Sequence, residues 1–357
     1  MKVALVGCGG IANRHAEVLS QLKHTLTVAI DSIEENAEKF KQQYGFQRAS
    51  TNFEDALAAD VDCVHICTPP PLHYSMVKQA LNAGKHVLCE KPLCMEAHQA
   101  KEIMELALEK KLLAAVDFNV RYHEACQRAH DTVKSADFGR INAIKASYQQ
   151  EFHFLPNNYM WRYNPEIGGK MRAVSEIGSH LVDLIRYWTG LEIIQVASDF
   201  GKFWPKRYLK DGVMYANKVE GSEEIIVDTE DVAVIMVRLS NGAVGSLFLS
   251  EISQGHVNCI KLEVDGDNKA VWWCSEEPYK LHTSNQFQGI LTKTNAFGGG
   301  FPNTLFDLFK NFYDVMEGRI SLKDSTYPTL YDGYKNVAVC DAIYKSAINN
   351  SIWTEVM

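Results

Sequence analysis

Four polar side chains share one stripe of a helix predicted between residues 175 and 188. At about 100° per residue, Glu176, His180, Asp183 and Tyr187 project to one side, while a separate apolar face can pack on the protein. An imidazole beside carboxylates suits reversible proton transfer near neutral pH. Two alternatives stay open: a solvated helix face, and a metal site formed by His180 with Glu176 and Asp183, which would have no second histidine nearby.

A second candidate site is the glycine-rich turn Gly7-Cys8-Gly9-Gly10-Ile11-Ala12, which follows a short apolar run and opens a helical pattern. Gly7 permits a tight turn, Gly9 lets the backbone approach a pyrophosphate, and Ala12 allows close packing of helix on strand. The free N–H groups of the helix would then face the phosphates. The alternative is an ordinary glycine-rich turn between a strand and a helix.

Asp31 ends the next apolar run, at the distance from the glycine turn where a carboxylate meets the adenosine ribose of a dinucleotide. A carboxylate there accepts both ribose hydroxyls and repels a 2′-phosphate, and no arginine follows at once. This pattern predicts NAD rather than NADP as the cofactor. The alternative role for Asp31 is a helix N-cap.

The first third of the chain alternates short apolar runs with helical patterns, which requires crossover connections and hence a parallel sheet covered by helices. We therefore predict an α/β fold with an N-terminal Rossmann dinucleotide-binding domain over residues 1–122. From about Ile141 the segments alternate with period two. The run 232–239, the turn Ser240-Asn241-Gly242 and the run 243–250 predict a hairpin with a type I′ turn, and residues 259–264 and 270–273 predict another.

These hairpins, with helices near 175–188, 303–316 and 330–347, predict a C-terminal α+β domain over residues 123–357 that contains a large open antiparallel sheet. A return of the final helix to the first domain stays open. This second domain is expected to bind substrate and to mediate oligomerisation.

The composition of the chain argues against several classes of protein. The 357 residues carry a net charge of −8 and lack a long Lys/Arg run, which argues against a nucleic-acid partner. Nine scattered cysteines without a C-x-x-C pair predict reduced thiols and argue against zinc, so no metal site is expected. The amino terminus has no signal-peptide pattern and no apolar stretch reaches membrane-spanning length, which predicts a cytoplasmic protein.

Several motifs, taken together in order and spacing, resemble the Gfo/Idh/MocA oxidoreductase family over essentially the whole chain. Beyond the glycine turn, they are Cys67-Thr68-Pro69-Pro70 with His73, the run from Gly84 to Pro92, Gly168-Gly169, the run from Glu176 to Asp183, and the closing segment from Asp332 to Trp353. The resemblance implies an NAD-dependent enzyme that moves a hydride between nicotinamide and a ring hydroxyl of a sugar or cyclitol.

Two turns of this pattern end predicted strands at the carboxyl edge of the first sheet, where doubly wound folds bind ligands. The residues expected to contact the cofactor there are Thr68, Pro69, His73, Glu90 and Lys91. Lys91 would also hydrogen-bond the reacting hydroxyl and stabilise the developing alkoxide. The resemblance implies a cis Lys91–Pro92 bond.

The resemblance also assigns roles on the helical stripe. His180 is implied as the proton acceptor and Glu176 as the carboxylate that holds substrate. This chain departs from the family pattern, which more often has Asp at position 176, and the extra methylene moves the carboxylate by about a bond length. The substrate geometry and the division of work between Glu176 and Asp183 are therefore open.

Weaker candidates for substrate contact are Asn119 and Arg121, which follow the sixth strand, and Trp161 and Arg162, which precede the Gly168-Gly169 turn. A packing role is equally consistent with each of them. Family resemblance further implies a homodimer or homotetramer through the C-terminal sheet, which suits a surface that would otherwise expose large apolar area. Two other functions stay open: a keto-sugar reductase or dihydrodiol dehydrogenase with the same site, and a non-catalytic NAD-binding regulator.

Overall fold

The computed structural model describes residues 1–294 and 303–357, which divide into two compact units. The first unit combines residues 1–122 with residues 303–337, and the second combines residues 123–294 with residues 338–357. The chain thus leaves the first unit after Tyr122 and returns to it before its end.

A six-stranded parallel sheet forms the centre of the first unit, in the order β3-β2-β1-β4-β5-β6. Its strands are β1 (Lys2–Val6), β2 (Thr25–Ile30), β3 (Arg48–Ser50), β4 (Cys63–Ile66), β5 (His86–Cys89) and β6 (Ala114–Val116). The connecting helices are α1 (Gly10–Gln21), α2 (Glu34–Tyr44), α3 (His73–Asn82) and α4 (Ala97–Glu109). This is the doubly wound arrangement that the alternating sequence predicted, and the Rossmann prediction is confirmed.

The second unit is built on a nine-stranded sheet with helices on one side of it. Its helices are α5 (Glu124–Lys134), α6 (Pro165–Gly168) and α7 (Ser179–Thr189). The strands of the unit are β7 (Ile141–Gln149), β8 (Asn157–Asn158), β9 (Ile193–Gly201), β10 (Lys206–Lys210), β11 (Val213–Tyr215), β12 (Glu223–Ile226), β13 (Val232–Leu239), β14 (Val244–Ser250), β15 (Cys259–Gly266), β16 (Lys269–Cys274), β17 (Lys280–Asn285), β18 (Gly289–Thr294) and β19 (Thr354–Glu355).

The large sheet has the order β18-β17-β16-β15-β7-β14-β13-β9-β19, and β12-β10-β11-β8 form a smaller antiparallel sheet. Within the described residues, only β7 and β14 pair in parallel in the large sheet, and its other neighbours are antiparallel. The predicted α+β domain around an open, mainly antiparallel sheet is confirmed.

Both predicted hairpins are present, β13 with β14 and β15 with β16. The type I′ prediction for the first turn is wrong, because Gly242 has φ +90° and Asn241 is not among the residues with positive φ. The Gly242 N–H donates to the Leu239 carbonyl, and the Leu239 N–H donates to the Ala243 carbonyl. This is a three-residue connection that places a single glycine in the left-handed region.

The helix predicted from residue 175 is interrupted at its start. Residues Val174–Gly178 form a π-helical turn, and the regular α-helix α7 begins only at Ser179. A π-turn has a wider repeat than an α-helix, so Glu176 does not continue the straight stripe of His180 and Asp183. Such insertions are frequent at functional sites.

Residues 303–337 complete the core of the first unit through α8 (Thr304–Met316) and the first part of α9 (Leu330–Ile348). The Asn303 side chain caps α8 by accepting the Phe306 N–H. Four α8 side chains fill the core on the face of the sheet that α1 covers: Leu308, Phe309, Phe312 and Tyr313. None of the described helices combines the length and the apolar character needed to cross a membrane.

Candidate active site

The glycine turn leaves room for a ligand beside the backbone. Gly7 has φ +89°, and a Cβ there would lie 2.8 Å from the Cys67 carbonyl oxygen, so no side chain fits. A Cβ at Gly9 would meet nothing within 4 Å among the described residues. The helix α1 starts within Gly10-Ile11-Ala12, whose first two residues are exposed while the third is buried against the sheet. The turn can therefore receive a phosphate at the amino end of α1.

Asp31 lies directly beside this turn, at the end of β2. One oxygen of its carboxylate accepts the Cys8 N–H at 2.9 Å, and the other accepts the Ile33 N–H at 3.0 Å. The first bond ties the carboxylate to the glycine turn, while the second closes a turn just before α2. The N-cap alternative for Asp31 is wrong, because the N-cap residue of α2 is Ile33 and no side chain caps that helix. The ribose role is compatible with this geometry, because each carboxylate oxygen has a second lone pair to offer a ribose hydroxyl.

Two further turns lie at the carboxyl ends of β4 and β5, and His73 joins them. The His73 ring is fully buried, and its nitrogens lie 2.8 Å from the Thr68 carbonyl oxygen and 2.8 Å from the Pro92 carbonyl oxygen. Burial lowers the pKa of His73, whereas the hydrogen bonds to the two carbonyls oppose that shift. His73 therefore supports the two turns. Pro69 is exposed beside it, and the Lys91–Pro92 bond is cis.

Glu90 fixes the backbone of the turn that carries Lys91. One Glu90 oxygen accepts the Lys91 N–H at 3.1 Å, and the other lies 3.2 Å from His15 Nε2. Burial alone would raise the pKa of Glu90, but the hydrogen bond and charge of His15 outweigh it, and the pKa falls. Asp117 lies 3.5 Å from the same His15 nitrogen, and burial together with the Glu90 charge raises its pKa. The buried His15 imidazole and the carboxyl groups of Glu90 and Asp117 thus lie next to the turn that carries Lys91.

The buried network continues to α8. His15 Nδ1 lies 3.0 Å from His65 Nδ1, and His65 Nε2 lies 2.8 Å from the Tyr313 hydroxyl. Sequence reasoning missed His15, His65, Asp117 and Tyr313. The only available signal was His15 itself, a polar residue one turn from Ala12 and Leu19 on the buried face of α1.

In the second unit, Glu176 forms an ion pair with Arg162, whose guanidinium lies 4.5 Å from the centre of the Trp161 ring. Gly168 makes this loop possible, because a Cβ there would lie 2.5 Å from the Arg162 carbonyl oxygen. The sequence-predicted residues Trp161, Arg162 and Glu176 are therefore brought together. The longer side chain of Glu176, compared with the family's usual Asp, is the one that reaches this guanidinium.

A fully buried arginine anchors the segment just before Glu176. Arg172 Nη2 lies 2.5 Å from Asp231, and its Nε donates to Glu251 at 2.6 Å. The second Glu251 oxygen lies 3.8 Å from His153 Nε2. Burial, followed by the charge of Arg172, lowers the pKa of His153 to about 3, so this imidazole is neutral. The Arg172 backbone in turn accepts the Glu176 N–H at 2.8 Å.

Glu230 accepts backbone N–H groups at the amino end of the π-turn. It is fully buried, and one carboxyl oxygen accepts the Arg172 N–H at 3.0 Å and the Val174 N–H at 2.8 Å. Burial raises the pKa of Glu230 to about 7, although these hydrogen bonds oppose the shift. Sequence reasoning had no signal for Glu230, because it lies more than 50 positions away along the chain from the backbone that it caps.

The remaining stripe residues have unequal exposure. His180 is half-buried in the first turn of α7, whereas Asp183 is only 1 % exposed. The Tyr187 ring stacks on the His130 ring of α5 at 4.6 Å and so serves helix packing. Among the described residues, the three groups of side chains that could hold a metal do not include His180.

Asn119 and Arg121 make packing contacts within the first unit. The Asn119 amide donates to the Thr304 hydroxyl at 2.9 Å, and Arg121 is 5 % exposed and lies 3.6 Å from Asp332. These contacts correspond to the packing alternative given for both residues. Their contact with substrate stays a prediction.

Two family models match the chain in tandem. Residues 1–118 match the oxidoreductase family with an NAD-binding Rossmann fold, and residues 126–271 match the GFO/IDH/MocA C-terminal domain. The chain belongs to the Gfo/Idh/MocA family of oxidoreductases, and its first unit is an NAD-binding domain. The family and fold predictions and NAD as a cofactor are confirmed, whereas the preference for NAD over NADP stays a prediction.

Two curated relatives are sugar dehydrogenases by name. Levoglucosan dehydrogenase of Pseudarthrobacter phenanthrenivorans is 28% identical over 347 residues, which cover 90% of this chain and 87% of the relative. Glucose-6-phosphate 3-dehydrogenase of Bacillus subtilis is 26% identical over 285 residues, which cover 80% and 75% of the two chains.

Solved structures agree in fold over the whole length. Levoglucosan dehydrogenase in complex with NADH and L-sorbose superimposes with a TM-score of 0.90 at 25% identity, covering 100% of this chain and 99% of that chain. An inositol dehydrogenase homologue with NAD+ from Azotobacter vinelandii gives a TM-score of 0.85 at 21% identity, over 99% and 97% of the two chains, and supports the fold alone.

Proposed function

We propose that this protein is an NAD-dependent dehydrogenase that oxidises a ring hydroxyl of a sugar or cyclitol, or reduces the matching ketone. The observation that carries the proposal lies within the first unit. The glycine turn after β1 and the Glu90-held turn of Lys91 after β5 lie at the same carboxyl edge of one parallel sheet. A dinucleotide bound at that edge would have the turn that carries Lys91 close to its reactive end.

The open space at Gly9 and the Asp31 carboxylate beside it suit the pyrophosphate and the adenosine ribose of NAD. The glycine turn and Asp31 would hold NAD, which would supply the hydride acceptor for the reaction. Lys91 then hydrogen-bonds the substrate oxygen and stabilises its developing negative charge, and His180 accepts the hydroxyl proton.

Glu176, Arg162 and Trp161 provide the substrate contacts in this proposal. A guanidinium and a carboxylate donate to and accept from neighbouring hydroxyls, and an aromatic ring packs against the C–H face of a sugar. The names of the relatives favour an unmodified or phosphorylated hexose or an anhydrosugar as substrate.

Turnover with a panel of these compounds tests the proposal, with NADH absorbance followed in both directions. Lys91→Met and His180→Asn should each lower kcat at least about a hundredfold, while the NAD dissociation constant changes little. Lys101→Met and His98→Asn are matched controls on the exposed face of α4 and should leave turnover unchanged.

Two results would contradict the proposal. NAD binding without turnover on any polyol, sugar, ketone or diol would favour a non-catalytic regulator. Turnover that survives both Lys91→Met and His180→Asn would exclude the assigned chemistry even if the protein is a dehydrogenase.

A further inference from the structure

Three side chains of metal-ligand type meet at one end of the β15–β16 hairpin, His256, Cys259 and Glu276, and Cys274 lies beside Cys259. The two cysteine sulfurs lie 3.8 Å apart as free thiols, and His256 Nδ1 lies 3.1 Å from Glu276 Oε2. One ligand atom from each of His256, Cys259 and Glu276 lies within 4.8 Å of the other two. The cluster belongs entirely to the second unit.

The strand register explains why these residues converge. Lys261 of β15 pairs with Cys274 of β16, so Cys259, two residues before Lys261, faces the position just beyond the end of β16 where Glu276 stands. Residues with even spacing share one face of a sheet, so both cysteines and the carboxylate project to the same side. His256 completes an H-x-x-C spacing from the preceding loop.

The distances are compatible with a tetrahedral ion and exclude a disulfide. Zinc–sulfur bonds of about 2.3 Å at tetrahedral angles separate two sulfurs by about 3.8 Å, whereas a disulfide joins them at about 2.05 Å. A nitrogen and an oxygen that both bind zinc at about 2.1 Å lie about 3.4 Å apart, close to the spacing of His256 and Glu276. The donor set of two sulfurs, one nitrogen and one oxygen is a zinc set.

We propose that His256, Cys259 and Glu276 bind one Zn²⁺ ion that fastens the loop before β15 to the end of β16, and that Cys274, 3.8 Å from Cys259, turns toward the ion as the fourth ligand. With four protein ligands no position is left open for a substrate, so the site is structural. The expectation of no zinc rested on the lack of a C-x-x-C pair, which does not detect a site whose two cysteines lie on different strands.

The site faces away from the helix of the proposed chemistry. Leu249 of β14 packs against Gly178, at the start of α7, and strand pairing puts Tyr148 and Ile260 on the same face as Leu249. Cys259 is the neighbour of Ile260 and therefore projects from the opposite face. The ion would stabilise the sheet without touching the residues assigned to catalysis.

A metal ion can reach the cluster from solvent. Cys259 is buried, Cys274 is half-buried, and the side chains of His256 and Glu276 are 33% and 35% exposed. A surface cleft of about 630 Å³ adjoins the cluster and is lined by Cys274, Glu276 and Trp272 among others.

The experiment uses the full chain, purified under reducing conditions and stripped with a chelator. Titration with Co²⁺ should give one equivalent of a complex with thiolate-to-cobalt charge-transfer absorption and tetrahedral d–d bands, and Zn²⁺ should abolish both. Cys259→Ser and Cys274→Ser should each remove or weaken the charge-transfer band. Cys340→Ser, which alters a buried thiol elsewhere in the same unit, is the matched control and should retain it.

Glu276→Gln and Glu277→Gln form a second matched pair that does not alter a buried group. The first should weaken Zn²⁺ binding at least about tenfold, whereas the second, whose carboxylate pairs with Lys280, should not. Three results would each overturn the proposal. The first is that Co²⁺ added to the chelator-stripped protein gives no thiolate-to-cobalt band, and the second is that a Cys259–Cys274 disulfide forms in place of metal binding. The third is that the Co²⁺ spectra are unchanged in the serine variants. None of these results depends on whether the protein turns over a sugar.

Discussion

Replacing Glu230 by glutamine isolates the effect of a single buried proton on the stability of the second unit. Glu230 is fully buried beneath the π-turn that carries Glu176, and its pKa is raised to about 7, compared with an ordinary value near 4.5. The native state therefore keeps a proton that the unfolded chain has already released. Stability from this group is lost as pH rises between these two values and is constant above about pH 7 and below about pH 4.5.

The magnitude follows from the size of the shift. A difference of roughly 2.5 pKa units at about 1.4 kcal/mol per unit amounts to about 3 kcal/mol between the two plateaus. Glutamine carries no titrating proton, so the free energy of unfolding of Glu230→Gln relative to the wild type should rise by about 1.4 kcal/mol per pH unit from pH 5 to pH 7. A constant offset from the altered hydrogen bonds does not affect that slope.

Urea unfolding at pH 5, 6, 7 and 8, followed by tryptophan fluorescence, measures this slope. All six tryptophans lie in the second unit, so the signal reports the unit that contains Glu230. Glu224→Gln removes a carboxylate from the surface of the same unit and is the control, with no slope expected. A flat difference between Glu230→Gln and the wild type would refute the reasoning, because it would mean that Glu230 is ionised in the folded protein.

Three other predictions concern the cofactor, the buried arginine and self-association. Asp31→Ser should shift the ratio of kcat/KM for NAD over NADP toward NADP by about tenfold or more, and an unchanged ratio would exclude the ribose contact. Arg172→Met leaves Glu251 without its cation and should cost about 3–5 kcal/mol of unfolding free energy in urea titrations, whereas the surface variant Arg128→Met should cost under about 1 kcal/mol. Met236→Lys, on the exposed face of β13, should lower the mass measured by light scattering if that face joins subunits.

The fold could be predicted well from the sequence because its signals are local. Alternating apolar runs and helical patterns identify the Rossmann unit, and period-two segments with an Asn-Gly turn identify the hairpins. The turn type could not be predicted, because the difference between a type I′ turn and a glycine in a bulge depends on how the two strands twist together. The π-turn at Val174–Gly178 could not be predicted either, because a helical pattern of 3.6 residues per turn does not indicate where a wider turn occurs.

The candidate site was predicted only where its residues stand in short motifs. Gly7, Asp31, Lys91 and His180 were predicted in this way. Residues that support the candidate site from distant parts of the chain, such as Glu230 beneath the turn of Glu176, carry polar side chains that are uninformative until burial is known. These residues matter because a buried polar group without a hydrogen bond lowers the stability of the protein. Which groups are buried is known only for the folded chain.

The return of residues 303–337 to the first unit has a consequence for biosynthesis. The aromatic side chains of α8, Phe309 and Phe312 among them, fill the core against α1, so the NAD-binding unit is incomplete until about nine-tenths of the chain has left the ribosome. A nascent chain ending near Tyr122 would expose that apolar surface and invite chaperone binding or aggregation. A fragment of residues 1–122 alone is for the same reason a poor choice for isolated expression, whereas a fusion that supplies α8 should restore its solubility.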